Sequence, residues 1–124
     1  MTHKRFIAPL AAALLLSLSA CSGIGPGPLP ALYVLAPPLS ALPDAPQANW
    51  QLVVAEPDAP QSLNTARIAL THDVSMDYYA NAAWSDRAPA LIQDALVDAF
   101  DKSGKIAAVA PDTAGVRGDY RLET

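Results

Sequence analysis

His3, Lys4 and Arg5 precede an apolar run from Phe6 to Leu18, which ends in the small residues Ser19 and Ala20. A basic start, an apolar middle and a small-residue cut site make a secretory signal peptide. The run is about a dozen residues long, short of the roughly 20 that cross a bilayer as a helix. Whatever folds must therefore be built from the residues after position 20, enough for one small domain.

The next residue changes what that signal means. Leu18-Ser19-Ala20-Cys21 resembles a bacterial lipobox, in which the chain is cut between Ala20 and Cys21. Cys21 then carries a diacylglycerol thioether, becomes the new N-terminus and is acylated again, with palmitate-type chains. Each buried methylene contributes about 0.8 kcal/mol, and stable anchoring needs more than one chain. Three chains on Cys21 would hold the protein at a membrane without a spanning helix. Cys21 is the single cysteine, so no thiol is left for a disulfide, a metal cluster or a nucleophile. Ser22 rather than Asp follows it. In lipoproteins of Gram-negative bacteria an Asp there signals inner-membrane retention, so Ser22 favours the outer membrane.

Loss of Lys4 and Arg5 leaves 6 basic against 12 acidic side chains, a net charge near −6. Such a surface repels phosphate backbones and anionic head groups, which argues against nucleic acid as a partner. Residues 21–48 are rich in Pro, Gly, Ala and Ser and read as a lipidated tether. Gly23-Ile24-Gly25-Pro26-Gly27-Pro28 lacks the lysine and helix start of a phosphate loop. Leu32-Tyr33-Val34-Leu35 is β-prone and suited to dock as an edge strand, and Pro37-Pro38 stops it.

Residues 49–124 read as the folded domain. Gln51 to Ala55 is a buried strand, with Leu52, Val53 and Val54 in succession before Pro57. Arg67 to Leu70 and Met76 to Ala82 alternate as two further strands, joined as a hairpin around Thr71-His72-Asp73. An amphipathic helix is predicted from about Arg87 to Ser103. Ser85 or Asp86 caps it, Pro89 lies in its first turn, and Gly104 ends it. Ile92, Leu96, Ala99 and Phe100 form its apolar face, and Asp94, Asp98 and Asp101 its solvated one. Ile106 to Ala110 and Asp119 to Thr124 supply two more strands. The chain stops inside the last strand signal, which reads as an incomplete domain. The expected fold class is α+β: a small mixed or antiparallel sheet with one amphipathic helix packed on one face, preceded by a signal peptide (1–20) and a Pro/Gly-rich tether.

No catalytic constellation, metal site or cofactor site is legible. His72-Asp73 offers at most two ligands where zinc takes at least three. Ser75 beside them has the residue types of a hydrolytic triad without the spacing or a nucleophile elbow. A cell-envelope hydrolase would need a group supplied after Thr124. Tyr79, Trp84 and Arg87 are the candidate partner-contact residues, since exposed aromatics and arginine supply most interface hot spots. Successive residues of a strand point to opposite faces, so Tyr78 and Tyr79 divide between the interior and the surface. In the competing reading this group is a core corner, with Arg87 paired to Asp86 or Asp77.

The order of these segments carries a resemblance. Lipobox, tether, Leu32-Tyr33-Val34-Leu35-Ala36-Pro37, Trp50-Gln51-Leu52-Val53-Val54, the run from Leu63 to Leu70, Asp77-Tyr78-Tyr79-Ala80, Trp84-Ser85-Asp86-Arg87 and the helix together resemble the PqiC-like ABC-type transport auxiliary lipoproteins. These are usually longer, which agrees with an incomplete domain. The resemblance implies a non-enzymatic outer-membrane lipoprotein facing the periplasm. Its partners would be an ABC transporter and an MCE-domain protein that move lipids or other hydrophobic compounds between membranes. In that picture Cys21 anchors, the tether gives reach and the domain docks the MCE component. The alternative is a stand-alone periplasmic lipoprotein that binds a small hydrophobic ligand in an apolar pocket between sheet and helix.

Overall fold

A computed structural model of the chain describes residues 27–38 and 44–124. The predicted signal peptide and lipobox lie outside these residues. The run Leu52-Val53-Val54 decides the architecture. A strand apolar at successive positions has no solvent face, and it is stable only with both faces covered. It lies in β2 (Ala48–Val54), between β5 (Ile106–Pro111) and β6 (Tyr120–Leu122), and all three run parallel. Leu52, Val53, Val54 and Ala55 are the buried apolar residues, and Val54 is wholly enclosed.

Parallel neighbours need a crossover of a dozen or more residues. The chain between β2 and β5 builds the rest of the domain. β3 (Arg67–His72) and β4 (Ser75–Trp84) form the expected antiparallel hairpin. Both strands run longer than their alternation suggests, because His72 and Ser75 still pair and only Asp73 and Val74 turn. Asp73 takes a positive φ of 51°, a conformation that Asp tolerates better than most residues. β1 (Ala31–Tyr33) adds to the far side of β4 in parallel, as an edge strand. The fold is α+β as expected, with the strands divided into two three-stranded sheets, ordered β1-β4-β3 and β5-β2-β6. The division follows from β2, whose two edges are both taken by later segments of the chain.

Helix α1 (Ala88–Lys102) packs on β5 and β2. Its start differs from expectation. Arg87 occupies the cap position without a side-chain cap, and Asp86 Oδ1 accepts the Arg87 N–H at 2.6 Å. Pro89 is buried in the first turn, where no helical hydrogen bond is lost. The end is as expected: Gly104 has φ 65°, and its N–H reaches the Asp101 carbonyl at 3.0 Å. The buried stripe is rotated from the predicted one. Pro89 and Gln93 are its buried members, whereas Ile92 is 41% exposed. Leu96, Ala99 and Phe100 are half-buried.

Two local details fix β2 in its slot. From Ala48 to Gln51 it passes only Ile106 to Ala108 on β5, so it carries an extra residue, a bulge at Asn49-Trp50. The Trp50 ring there meets Tyr120 edge-on, with centroids 5.0 Å apart and planes at 71°. On the other side Gly118 passes so close that a Cβ would sit 2.8 Å from Val53 Cγ2 and 3.1 Å from the Val53 nitrogen. Asp119 then clamps Gln51: Oδ2 accepts its N–H at 2.8 Å, and the Asp119 N–H donates to its carbonyl at 3.0 Å.

These contacts set two expectations for urea unfolding. Val54→Ala should cost about 2–3 kcal/mol through lost burial and the cavity left behind. Gly118→Ala, with a rigid strand in its path, should cost about 1–3 kcal/mol. Both should lower the midpoint at unchanged m-value. A midpoint unmoved by Gly118→Ala would show that the segment leading into β6 does not pass Val53 as closely as described.

Candidate partner-docking surface

The β1-β4-β3 sheet and the turns beside it expose several apolar side chains, among them Leu32, Tyr33, Val34, Val74, Met76 and Tyr79. β4 bulges strongly: β3 passes from Arg67 to Ala69 while β4 passes from Ala83 to Tyr78. The two tyrosines of β4 divide between the faces as their alternation requires. Tyr78 is half-buried, its hydroxyl donates to the Ser62 carbonyl at 2.9 Å, and the Arg67 guanidinium lies 3.7 Å from its ring centroid. Tyr79 is 56% exposed. Arg67 is thus a cation-π partner that alternation alone did not reveal.

Trp84 ends β4 in register with Tyr33 of β1, half-buried, and the Ser85 N–H donates to the Tyr33 carbonyl at 2.7 Å. With Leu35, Ala88, Leu91 and Ile92, Trp84 lines a shallow cleft of about 130 Å³. The chain after β1 then runs beside α1. Leu35, Ala36 and Pro37 form a second cleft of about 440 Å³ with Asp94, Ala95, Val97, Asp98 and Lys102. Leu32, Tyr33, Val34 and Leu35 are all exposed.

Arg87 is tied into the fold. Its fork donates to Glu56 Oε1 and Oε2 at 2.7 and 2.8 Å and to Asn64 Oδ1 at 2.6 Å. Its ion-pair partner is Glu56, rather than Asp86 or Asp77. No hydrogen bond or ring contact joins Tyr79, Trp84 and Arg87 to one another among the described residues. Trp84 and Arg87 flank the β4–α1 junction, and Tyr79 stands apart on the bulge.

A second polar centre escaped sequence reasoning altogether. Gln93, buried on the inner stripe of α1, donates from Nε2 to the Val54 carbonyl and to Asp112 Oδ1, each at 2.9 Å. Asp112 Oδ2 in turn accepts from Arg121 at 2.8 Å, and Arg121 also reaches Glu123 at 3.0 Å. The one available signal was a polar residue at helical spacing between Pro89 and Leu96-Val97. The Arg121 and Gln93 hydrogen bonds hold the Asp112 carboxyl below the usual carboxylate range. The Arg87 fork does the same for Glu56, and Arg87 is raised in return.

The apolar pocket expected between sheet and helix has a counterpart. A cleft of about 600 Å³ is lined by Trp50, Ala99, Phe100, Ile106, Pro38 and Pro46, with Gln47, Ser103 and Lys105 among its polar members. Ser103 Oγ donates to the Phe100 carbonyl at 2.6 Å, and Gln47 Nε2 donates to the Gly104 carbonyl at 3.1 Å. Among the described residues no three His, Cys, Asp or Glu side chains converge as metal ligands. His72 and Asp73 form an exposed pair at 3.3 Å on the hairpin tip.

The depressed carboxyls make stability depend on pH with a defined sign. Near pH 4 the unfolded chain binds more protons at Glu56 and Asp112 than the folded one. Their stabilisation is therefore complete above the usual carboxylate range and is lost as pH falls through the folded-state values. Both pairs are partly exposed, so solvent screens them. Thermal unfolding should show a fall in midpoint below about pH 4, and the fall should be shallower in the Glu56→Gln, Asp112→Asn double variant. An equal pH response in both proteins would remove these pairs from the account.

Ala20 and Cys21, the predicted cleavage and lipidation residues, lie outside the described residues, and no described helix is long and apolar enough to cross a membrane. Comparison with known proteins follows the fold. The family model for the ABC-type transport auxiliary lipoprotein component matches residues 33–124. The crystal structure of protein XCC0632 from Xanthomonas campestris, of the DUF330 family, superposes with a TM-score of 0.66 at 35% identity. The alignment covers 75% of this chain and 52% of that one, so this chain spans about half the length of that relative. No curated protein matches. The match of the family model from the end of β1 through β6 and Thr124 places this chain in the ABC-type transport auxiliary lipoprotein family.

Proposed function

We propose that this protein is an outer-membrane lipoprotein, anchored on the periplasmic face through acylated Cys21. There it serves as the auxiliary docking component of an ABC/MCE-type system that moves lipids or other hydrophobic compounds between membranes. The observation that carries this reading is the family match over residues 33–124, downstream of a lipobox and a proline-rich tether. The family is a transport component, and the outer-membrane address rests on Ser22 after the lipobox cysteine. Tyr79 and Trp84 are the aromatic contacts proposed for the partner. Arg87, held by Glu56 and Asn64, orients the β4–α1 junction between them.

The anchor limits the position of the domain. β1 ties residues 31–33 to β4, so the stretch between the proposed anchor and the sheet is Cys21 to Pro30. At about 3.1 Å per residue for a proline-rich chain, its reach is at most roughly 30 Å. The whole Pro/Gly-rich stretch to residue 48 would have given roughly 85 Å. The domain therefore works close to the membrane surface.

A second reading is a stand-alone periplasmic lipoprotein that binds a small hydrophobic ligand. It is favoured by the apolar cleft of about 600 Å³ beside Trp50 and Phe100, a size within the usual range for ligand sites. One experiment separates the two. The lipoprotein is purified from detergent-solubilised envelope at native expression, as wild type and as Cys21→Ser. The docking reading predicts an MCE-domain protein in the wild-type eluate and loss of membrane retention in Cys21→Ser. Lipid without any MCE-domain protein would favour the second reading, and normal retention of Cys21→Ser would overturn the anchor.

A further inference from the structure

β1 is a short edge strand, three residues long, that carries no charge along its length. Natural sheets blunt their edges with charges, inward-pointing lysines, prolines or a covering segment. From Gly27 to Pro38 this chain carries no charged side chain. The edge is apolar and solvent-facing, with Leu32 68% and Val34 69% exposed. Pro30 and Pro37 close the window at its two ends, and every residue between them keeps its N–H.

The pairing with β4 shows which backbone groups are free. Tyr33 bonds inward, since its carbonyl accepts from Ser85 N–H, and it sits in register with Trp84. In a parallel ladder alternate residues of a strand face opposite neighbours. Leu32, between the inward-facing Ala31 and Tyr33, therefore turns its N–H and C=O away from β4, and Val34 continues the chain just past the end of the strand. An outward-facing donor and acceptor on an apolar edge are met by another extended strand, the mode of recognition by strand addition.

Charge narrows the occupant further. Where the chain leaves β1, Leu35, Ala36 and Pro37 form the cleft of about 440 Å³ with Asp94 and Asp98 of α1. Asp98 holds Lys102 at 2.6 Å, and Asp94 has no ion-pair partner among the described residues. Antiparallel pairing is the more stable per residue, and it brings the N-terminal flank of an added strand to this acidic cleft.

We infer that the free edge of β1 is a strand-addition site for an extended segment of the transport partner. That segment is about five residues long, apolar at alternate positions and carries a Lys or Arg on its N-terminal flank. It becomes a fourth strand beside β1 in the β1-β4-β3 sheet. The inference rests on the docking role proposed above and names where and how docking occurs.

The test uses the full lipoprotein in intact envelopes, with a photo-crosslinking amino acid at Leu32 and, as a control face, at Val74. In parallel, co-purification of the MCE-domain protein is compared for wild type, Leu32→Pro and Val74→Lys. Leu32→Pro removes an outward donor and leaves the inward bonds of Tyr33 in place. The expected result is an adduct from Leu32, and not from Val74, to one short segment of the MCE-domain protein. Recovery should fall about tenfold in Leu32→Pro and stay unchanged in Val74→Lys. Co-purification that survives Leu32→Pro, with no Leu32 adduct to that protein, would overturn strand addition and leave the docking role standing. An adduct to a second copy of this chain would overturn it in favour of self-association. Absence of the MCE-domain protein from the wild-type eluate would overturn both. Because the crosslink is read in an otherwise unaltered chain, a folding defect in Leu32→Pro cannot imitate the expected result.

Discussion

The inner half of the domain depends on burying the C-terminal half of one strand, Leu52 to Val54. β2 has a parallel neighbour on each edge, and the wholly enclosed Val54 lies at its end. The first neighbour arrives only after a hairpin and a helix, and the second only after β5 and a 3-10 turn at Asp112–Ala114. Each closing segment is held by a separate device. Lys105 C=O accepts from Ala48 N–H beside β5, Asp119 clamps Gln51 beside β6, and Gln93 reaches from the helix to the Val54 carbonyl. A buried amide without such partners would be costly, so Gln93 belongs to the core as much as the valines do, with the half-buried Asp112 at its margin.

The outer half is built on the opposite rule. The β1-β4-β3 sheet leaves its strand ends, its bulge and one of its edges exposed, and it contributes few packing contacts to the inner sheet. The two halves meet at the β4–α1 junction. There Arg87 binds Glu56 after β2 and Asn64 before β3, while Ala88 N–H donates to the Thr65 carbonyl. A rigid inner sheet with an exposed, apolar outer one suits a protein that presents surface to a partner, in keeping with an auxiliary transport component.

Local features of this fold were legible in the sequence, and the non-local ones were not. The hairpin follows from alternation on either side of Asp73, and the helix with its Gly104 end follows from spacing and a glycine. Burial of Leu52 to Val54 follows from three apolar residues in succession. Their partners lie far along the chain and carry no local mark. Glu56 is 31 residues from Arg87, and Val54 is 39 from Gln93. The division into two sheets is also a matter of long-range pairing. Of the apolar helix face, Leu96, Ala99 and Phe100 are half-buried as their spacing requires. Ile92 is exposed because the neighbouring Gln93, satisfied by a carbonyl and a carboxylate, turns inward where a glutamine looks, in sequence, like a solvent residue. Of the candidate contacts, exposure of one tyrosine of the Tyr78-Tyr79 pair was legible, whereas the internal engagement of Arg87 was not.

The proposed function begins at Cys21, since a docking domain so anchored would act only where its anchor put it. The most direct measurement is the intact mass of the protein extracted from membranes. The expected product is a polypeptide that begins at Cys21 and carries the added mass of its acyl chains. An unacylated chain, cut or uncut, would contradict it and remove the membrane tether on which the transport role depends.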